Sequence, residues 1–121
     1  MVEFHPIAGI FDKPGEAMEL PIRYPYFPTG EPLFFEEDGT YADRSAKLEH
    51  RATYSWPHPT SNVISALIDS GLHIEFFHEF PFSVEPWWSP LMEEAATDTF
   101  RLIKHGDSIP LMFSIKATKL A

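Results

Sequence analysis

The chain has 121 residues, 18 acidic side chains against 9 basic ones, a formal net charge of −9 and no cysteine. An acidic surface argues against partners that need a Lys/Arg face, nucleic acid and anionic membrane alike, and the missing cysteines exclude disulfides, thiolate metal sites and cysteine nucleophiles. The length suffices for one core, burying roughly two-thirds of the unfolded surface.

Eleven Phe, four Tyr and three Trp make that core aromatic, or leave rings to face a partner or ligand. The opening MVEFHPIAGIF has no basic stretch ahead of a long apolar run, so it does not read as a signal peptide. No apolar run reaches the length of a membrane span. The expectation is a soluble cytoplasmic protein of one domain.

Residues 2–7 read as a short extended piece, with Pro6 biasing His5 toward extended geometry. Residues 8–27 carry Pro14, Gly15, Pro21 and Pro25, a density that predicts a meandering arm with one helical turn near 16–20. In residues 31–41 (EPLFFEEDGTY) the Asp38-Gly39 pair predicts a hairpin whose return starts at Thr40 and Tyr41. Residues 42–50 are polar and aperiodic, and 51–56 (RATYSW) predict a strand.

The spacing of Val63, Ile64, Leu67 and Ile68 predicts a helix over 62–70, capped by Thr60 or Ser61 and stopped by Gly71. Residues 72–80 predict the strongest strand. Ideal alternation puts Leu72, Ile74, Phe76, His78 and Phe80 on one face and His73, Glu75, Phe77 and Glu79 on the other. Residues 83–96 read as a loop with a helical turn at 91–95, 97–104 as a short strand, and 105–108 as a turn. Residues 109–118 form a last strand with Leu111, Phe113, Ile115 and Ala117 on one face.

Three features together carry a family likeness. A Trp56-Pro57-His58-Pro59-Thr60-Ser61 strand end runs into a capped helix, and ALIDSGL (66–72) precedes the acidic, aromatic strand HIEFFHEFPF. The third is the terminal IPLMFSIKATKL. The chain resembles the C-terminal part of a class I S-adenosylmethionine-dependent methyltransferase. EFHPIAGIF is similar to the segment after that family's fifth strand, residues 60–80 to its last helix and sixth strand, and the terminus to its seventh strand, an antiparallel edge strand inserted last.

The resemblance implies an α+β piece: one main helix on a mostly antiparallel sheet, the C-terminal end of a Rossmann-like sheet. Residues 1–30 would be an extended arm, 31–56 a β insertion, and 57–121 the helix and last strands. It implies S-adenosylmethionine as cofactor of the complete parent enzyme, which passes a methyl group to a substrate nucleophile. None is expected for this chain alone, because its six glycines lie no closer than six residues apart and form no GxG turn. Catalysis by this chain alone is not expected, and the sheet edge left by the missing strands is expected to drive self-association.

The substrate-side candidates are His5, Tyr54, Trp56, His58, Trp87 and Trp88. His5 ends a strand, and His58 stands between two prolines before the helix. Either imidazole suits proton transfer near neutral pH, or a backbone hydrogen bond. Trp87 and Trp88 read as a lid over substrate or as packing under a loop, and Tyr54 and Trp56 as pocket lining or sheet core. His73, Glu75, His78 and Glu79 would need a bulge to give three metal ligands on one face, so they read as polar residues of a half-exposed strand. Two rival readings stay open: a stand-alone aromatic-rich β module binding an apolar ligand or protein partner, and a small enzyme using His5 or His58.

Overall fold

The computed structural model describes residues 1–16, 18–36 and 52–120. β1 (Val2–Phe4) runs into a 3-10 turn, Pro6–Ile10. The sequence reading misses this turn, which has two local causes: Pro6 fixes φ for its start, and the His5 ring accepts the Ile7 N–H. The arm then folds back on itself. Phe11 and Ile22 form an antiparallel bridge, Arg23 and Tyr24 both donate to the Ile10 carbonyl, and Arg23 pairs with Asp12 at 2.7 Å. Among the described residues near the predicted helical turn, the Met18 N–H donates to the Gly15 carbonyl in a tight turn, and Met18 takes a φ of 55°. A left-handed residue there ends any helix.

β2 (Leu33–Glu36) pairs antiparallel with β3 (Ala52–Ser55). The hairpin turn expected at Asp38-Gly39 and the return at Thr40-Tyr41 lie outside the described residues.

α1 (Thr60–Asp69) starts two residues earlier than its apolar spacing predicts. Thr60 is already helical, and the cap position falls on Pro59, whose carbonyl accepts from Asn62 and Val63. No cap side chain bonds back, so the predicted Thr60 or Ser61 cap is corrected. The Tyr26 hydroxyl, arriving from the arm, accepts the Thr60 N–H at 3.1 Å instead. The other end follows the sequence: Ser70 closes the helix and Gly71, at φ +80°, supplies the left-handed residue.

β4 (Leu72–Phe80), β5 (Met92–Ala96), β6 (Thr99–Leu102) and β7 (Met112–Lys119) complete the chain. The helical turn predicted at 91–95 is a strand. MEEAA has good helix formers, but pairing β5 with β6 sets Met92 opposite Leu102, both buried, and that packing overrides local propensity.

The main sheet has the order β1-β7-β4, with β7 antiparallel to both neighbours, so β1 and β4 are parallel. The last strand, expected at an edge, is the middle strand of the three. Between Ile74 and Phe76 the register slips by one residue in a bulge. Past it the faces exchange: Leu72, Ile74, Phe77 and Glu79 stand opposite Lys119, Ala117, Ile115 and Phe113 on one face. Phe76, His78 and Phe80 lie on the other. The predicted grouping of Leu72 and Ile74 with Phe76, His78 and Phe80 is therefore wrong past residue 75.

The core gathers where β7 begins. Ala8, Trp88, Met92, Leu102 and Leu111 are buried together, with Phe11, Leu20 and Phe100 against them. Ser83, fully buried, exchanges both backbone hydrogen bonds with Phe100 and ties the segment after β4 to the β5–β6 hairpin. Pairings are mostly antiparallel with one α-helix among the described residues, an α+β arrangement. No helix among them is long and apolar enough to cross a membrane.

Candidate functional site

Because β1 and β4 are parallel, their carboxyl ends open on the same side, the side on which open α/β sheets hold ligands. His5 directly follows β1 and Glu79 stands one residue before the end of β4. Their side chains meet across β7: His5 Nε2 lies 2.7 Å from Glu79 Oε2. The Ile7 N–H points at His5 Nδ1 at 3.1 Å, so Nδ1 accepts and the imidazole proton sits on Nε2, which donates to the carboxylate. The His5 backbone N–H is bound to the Leu111 carbonyl, and its ring meets Phe113 edge-to-face.

The two partners differ in access. His5 is 6% exposed, whereas the Glu79 side chain is 50% exposed. Both histidine nitrogens are used inside the protein. Glu79 keeps Oε1 without a partner among the described residues, so the carboxylate is the accessible side of the pair and His5 its buried support.

Glu79 also lines a shallow depression of about 220 Å³, formed with Phe80, Pro81 and residues 107–110. Its walls are largely apolar: Phe80, Pro81, Ile109 and Pro110. Asp107 on the rim is held by the Arg101 guanidinium at 3.1 Å. Leu111 N–H to the Phe80 carbonyl, 2.7 Å, fixes the two walls relative to each other.

The six sequence-predicted residues do not converge on one pocket. Trp88 is 4% exposed and belongs to the core beside Phe11, so it is packing and not a lid. Trp87 is half-buried, edge-on to Phe4 at 4.6 Å, and Phe4 shares a face with Met112, the face opposite to Glu79. The Tyr54 ring meets Phe34 at a tilt directly across β2–β3, and both Tyr54 and Trp56 are more than half exposed. Neither fills a sheet core. His58 is exposed just before α1. Gly71 turns the chain from α1 into β4, which lie in contact.

Glu79 and Tyr26 are what sequence reasoning missed as functional or positioning groups. A signal existed for Glu79, since a strand-end carboxylate and a strand-end histidine fall at matching ends of two strands. Tyr26 had none, because a phenol in a Pro-rich arm gives no sign of its target.

The bulge in β4 does bring His73, Glu75 and His78 to one face, as a metal site would need. The register then sets His73 opposite Thr118 and His78 opposite Ser114, four residues or roughly 13 Å apart along the strand. Among the described residues no group of three ligands is close enough to hold a metal ion. Glu75 has other partners: the Thr118 hydroxyl holds its carboxyl below the usual glutamate range, desolvation opposes this, and the Lys116 ammonium at 3.5 Å lowers it further.

The residues here do not fit an adenosyl cofactor. Gly71 serves as a helix stop, Gly30 at φ +90° sits in a bend, and the sequence has no GxG spacing with which to cradle the cofactor. Compared with protein-family models, with curated proteins and with solved structures, the chain has no match in any of the three.

Proposed function

We propose that this chain is the C-terminal, substrate-side region of a class I S-adenosylmethionine-dependent methyltransferase, inactive without the half that carries the cofactor. One observation carries the reading: β1 and β4 run parallel with the chain's last strand antiparallel to both, although that strand lies between them and not at the edge that the resemblance implies. A helix running back into the second parallel strand, α1 into β4, supports it further. So does the pair of strand-end groups on the carboxyl side, His5 and Glu79. The free side of β1 is where further parallel strands would join, and where isolated copies would pair with each other.

The test is the coding sequence upstream of Met1, over roughly four hundred bases, enough for the other half of a domain of ordinary size. The expected result is an open frame encoding a strand, a GxGxG-like turn and a helix, and a full-length protein that binds S-adenosylhomocysteine in calorimetry. Stop codons throughout, or a full-length protein that ignores the cofactor, would overturn the reading. The exposed rings of Phe27, Phe34, Tyr54 and Trp56 favour the second reading in that case, an aromatic β module with an apolar partner. An apolar ligand retained through purification would be its mark.

A further inference from the structure

The depression at the end of β4 offers a carboxylate, an apolar wall and a buried support for the carboxylate, and from these we infer that Glu79 binds a small organic amine in its ammonium form. Oε2 is committed to His5 Nε2 at 2.7 Å, but Oε1 has no partner among the described residues, and Glu79 is one of the residues that line the depression. A half-exposed carboxylate ordinarily swings freely and binds nothing well. This one is held on one oxygen by an imidazole that accepts the Ile7 N–H and meets the Phe113 ring edge, on a residue whose backbone N–H is bound to the Leu111 carbonyl. That fixes where Oε1 points before a ligand arrives, which lowers the ordering cost of binding.

The ligand's chemistry follows from the surroundings. Neutral His5 gives the pair a net negative charge, which an anion would oppose and a cation would balance. Asp107 across the rim is already paired with Arg101, so Glu79 is the carboxylate left to meet the charge. Pro81, Ile109 and Pro110 along the depression suit a short apolar body attached to that charge. At about 220 Å³ the space lies below the usual range for drug-sized ligands, which selects a small amine over a larger molecule. The inference takes only the position of the site from the reading above. Binding needs no methyl donor, so its failure leaves the methyltransferase reading standing, and the reverse also holds.

The experiment is a titration of the isotope-labelled chain with benzylamine, followed by amide chemical shifts, beside equal titrations with benzyl alcohol and with lysine blocked at both backbone ends. Saturable shifts of residues 79–81 and 108–110 are expected with benzylamine and not with the alcohol. Glu79→Gln keeps an oxygen for His5 and should weaken binding roughly tenfold or more, the effect of losing a charge-assisted hydrogen bond. His5→Gln should also weaken it, while Glu93→Gln on the far hairpin leaves it unchanged. Equal binding of the alcohol, no saturable shift, or full binding in Glu79→Gln would overturn the inference. Binding of the blocked lysine without benzylamine would overturn the assignment to a free small amine.

Discussion

The Tyr26 hydroxyl accepts the Thr60 backbone N–H at 3.1 Å, so a side chain 34 positions upstream stands in for the missing N-terminal cap of α1. Pro59 occupies the cap position and has no side-chain acceptor to offer. The first-turn N–H would otherwise face solvent, and the arm would lose its anchor on the helix. Tyr26→Phe should therefore cost about 1 kcal/mol, the usual size of a lost cap or neutral hydrogen bond. Urea unfolding should report it as a lower midpoint with unchanged slope, and hydrogen exchange at Thr60 should quicken. Unchanged exchange at Thr60 would mean that the phenol does not cap the helix.

The bulge between Ile74 and Phe76 makes a ranking that ideal alternation would reverse. Phe77 stacks on Phe113 with centroids 5.4 Å apart and stands opposite Ile115, whereas Phe76 stacks only on exposed His78. Phe77→Ala should destabilise by about 2–3 kcal/mol, below the full-core range because the ring is half-buried. Phe76→Ala should cost under about 1 kcal/mol. The opposite order would show that β4 runs straight, as the sequence pattern alone suggests.

Much of this fold is legible in the residues. The apolar stripe and Gly71 gave α1 and its stop. Alternation gave β4 and the buried side of β7 at Phe113 and Ile115. What stayed hidden depends on contacts distant in sequence. A bulge at Glu75 has no local mark, since the alternating letters on either side remain well formed. Strand β5 carries helix formers and becomes a strand only because β6 pairs with it. Trp88 looked like a lid because prolines flank its loop, yet Ala8 and Leu111, each about 20 residues or more away, close over it. At the site, His5 was visible as a strand-end histidine. Glu79 became its partner only once β1 and β4 proved parallel.

Glu75 links stability to pH through the end of β7. Its carboxyl lies below the ordinary glutamate range, chiefly because the Thr118 hydroxyl donates to it. A depressed folded value means that the stabilisation is present above the unfolded value, about 4.3, and is lost as pH falls through the folded one. Thr118→Val should raise the Glu75 midpoint in a carbon-detected NMR titration, incompletely because Lys116 still acts on it. The variant should be less stable than the parent at pH 6, with the gap closing in acid. A gap that stays constant down to pH 2 would assign the effect to packing instead.

The outer edge of β1 decides whether isolated copies associate. Met1 exchanges both backbone hydrogen bonds with Ile115, and His5 donates to Leu111, so Met1, Glu3 and His5 face β7. Val2 and Phe4 then point their backbone groups outward. The Phe4 N–H is taken by the Glu3 carboxylate at 2.9 Å, which leaves the Val2 N–H and both outward carbonyls to pair with another strand. Light scattering coupled to size exclusion should find a dimer at micromolar concentration. Val2→Pro removes the outward N–H without touching a bond to β7, an exchange that an edge strand tolerates, and should shift the protein to monomer. A parent chain that elutes as a monomer, or a Val2→Pro variant that still dimerises, would exclude this edge as the contact.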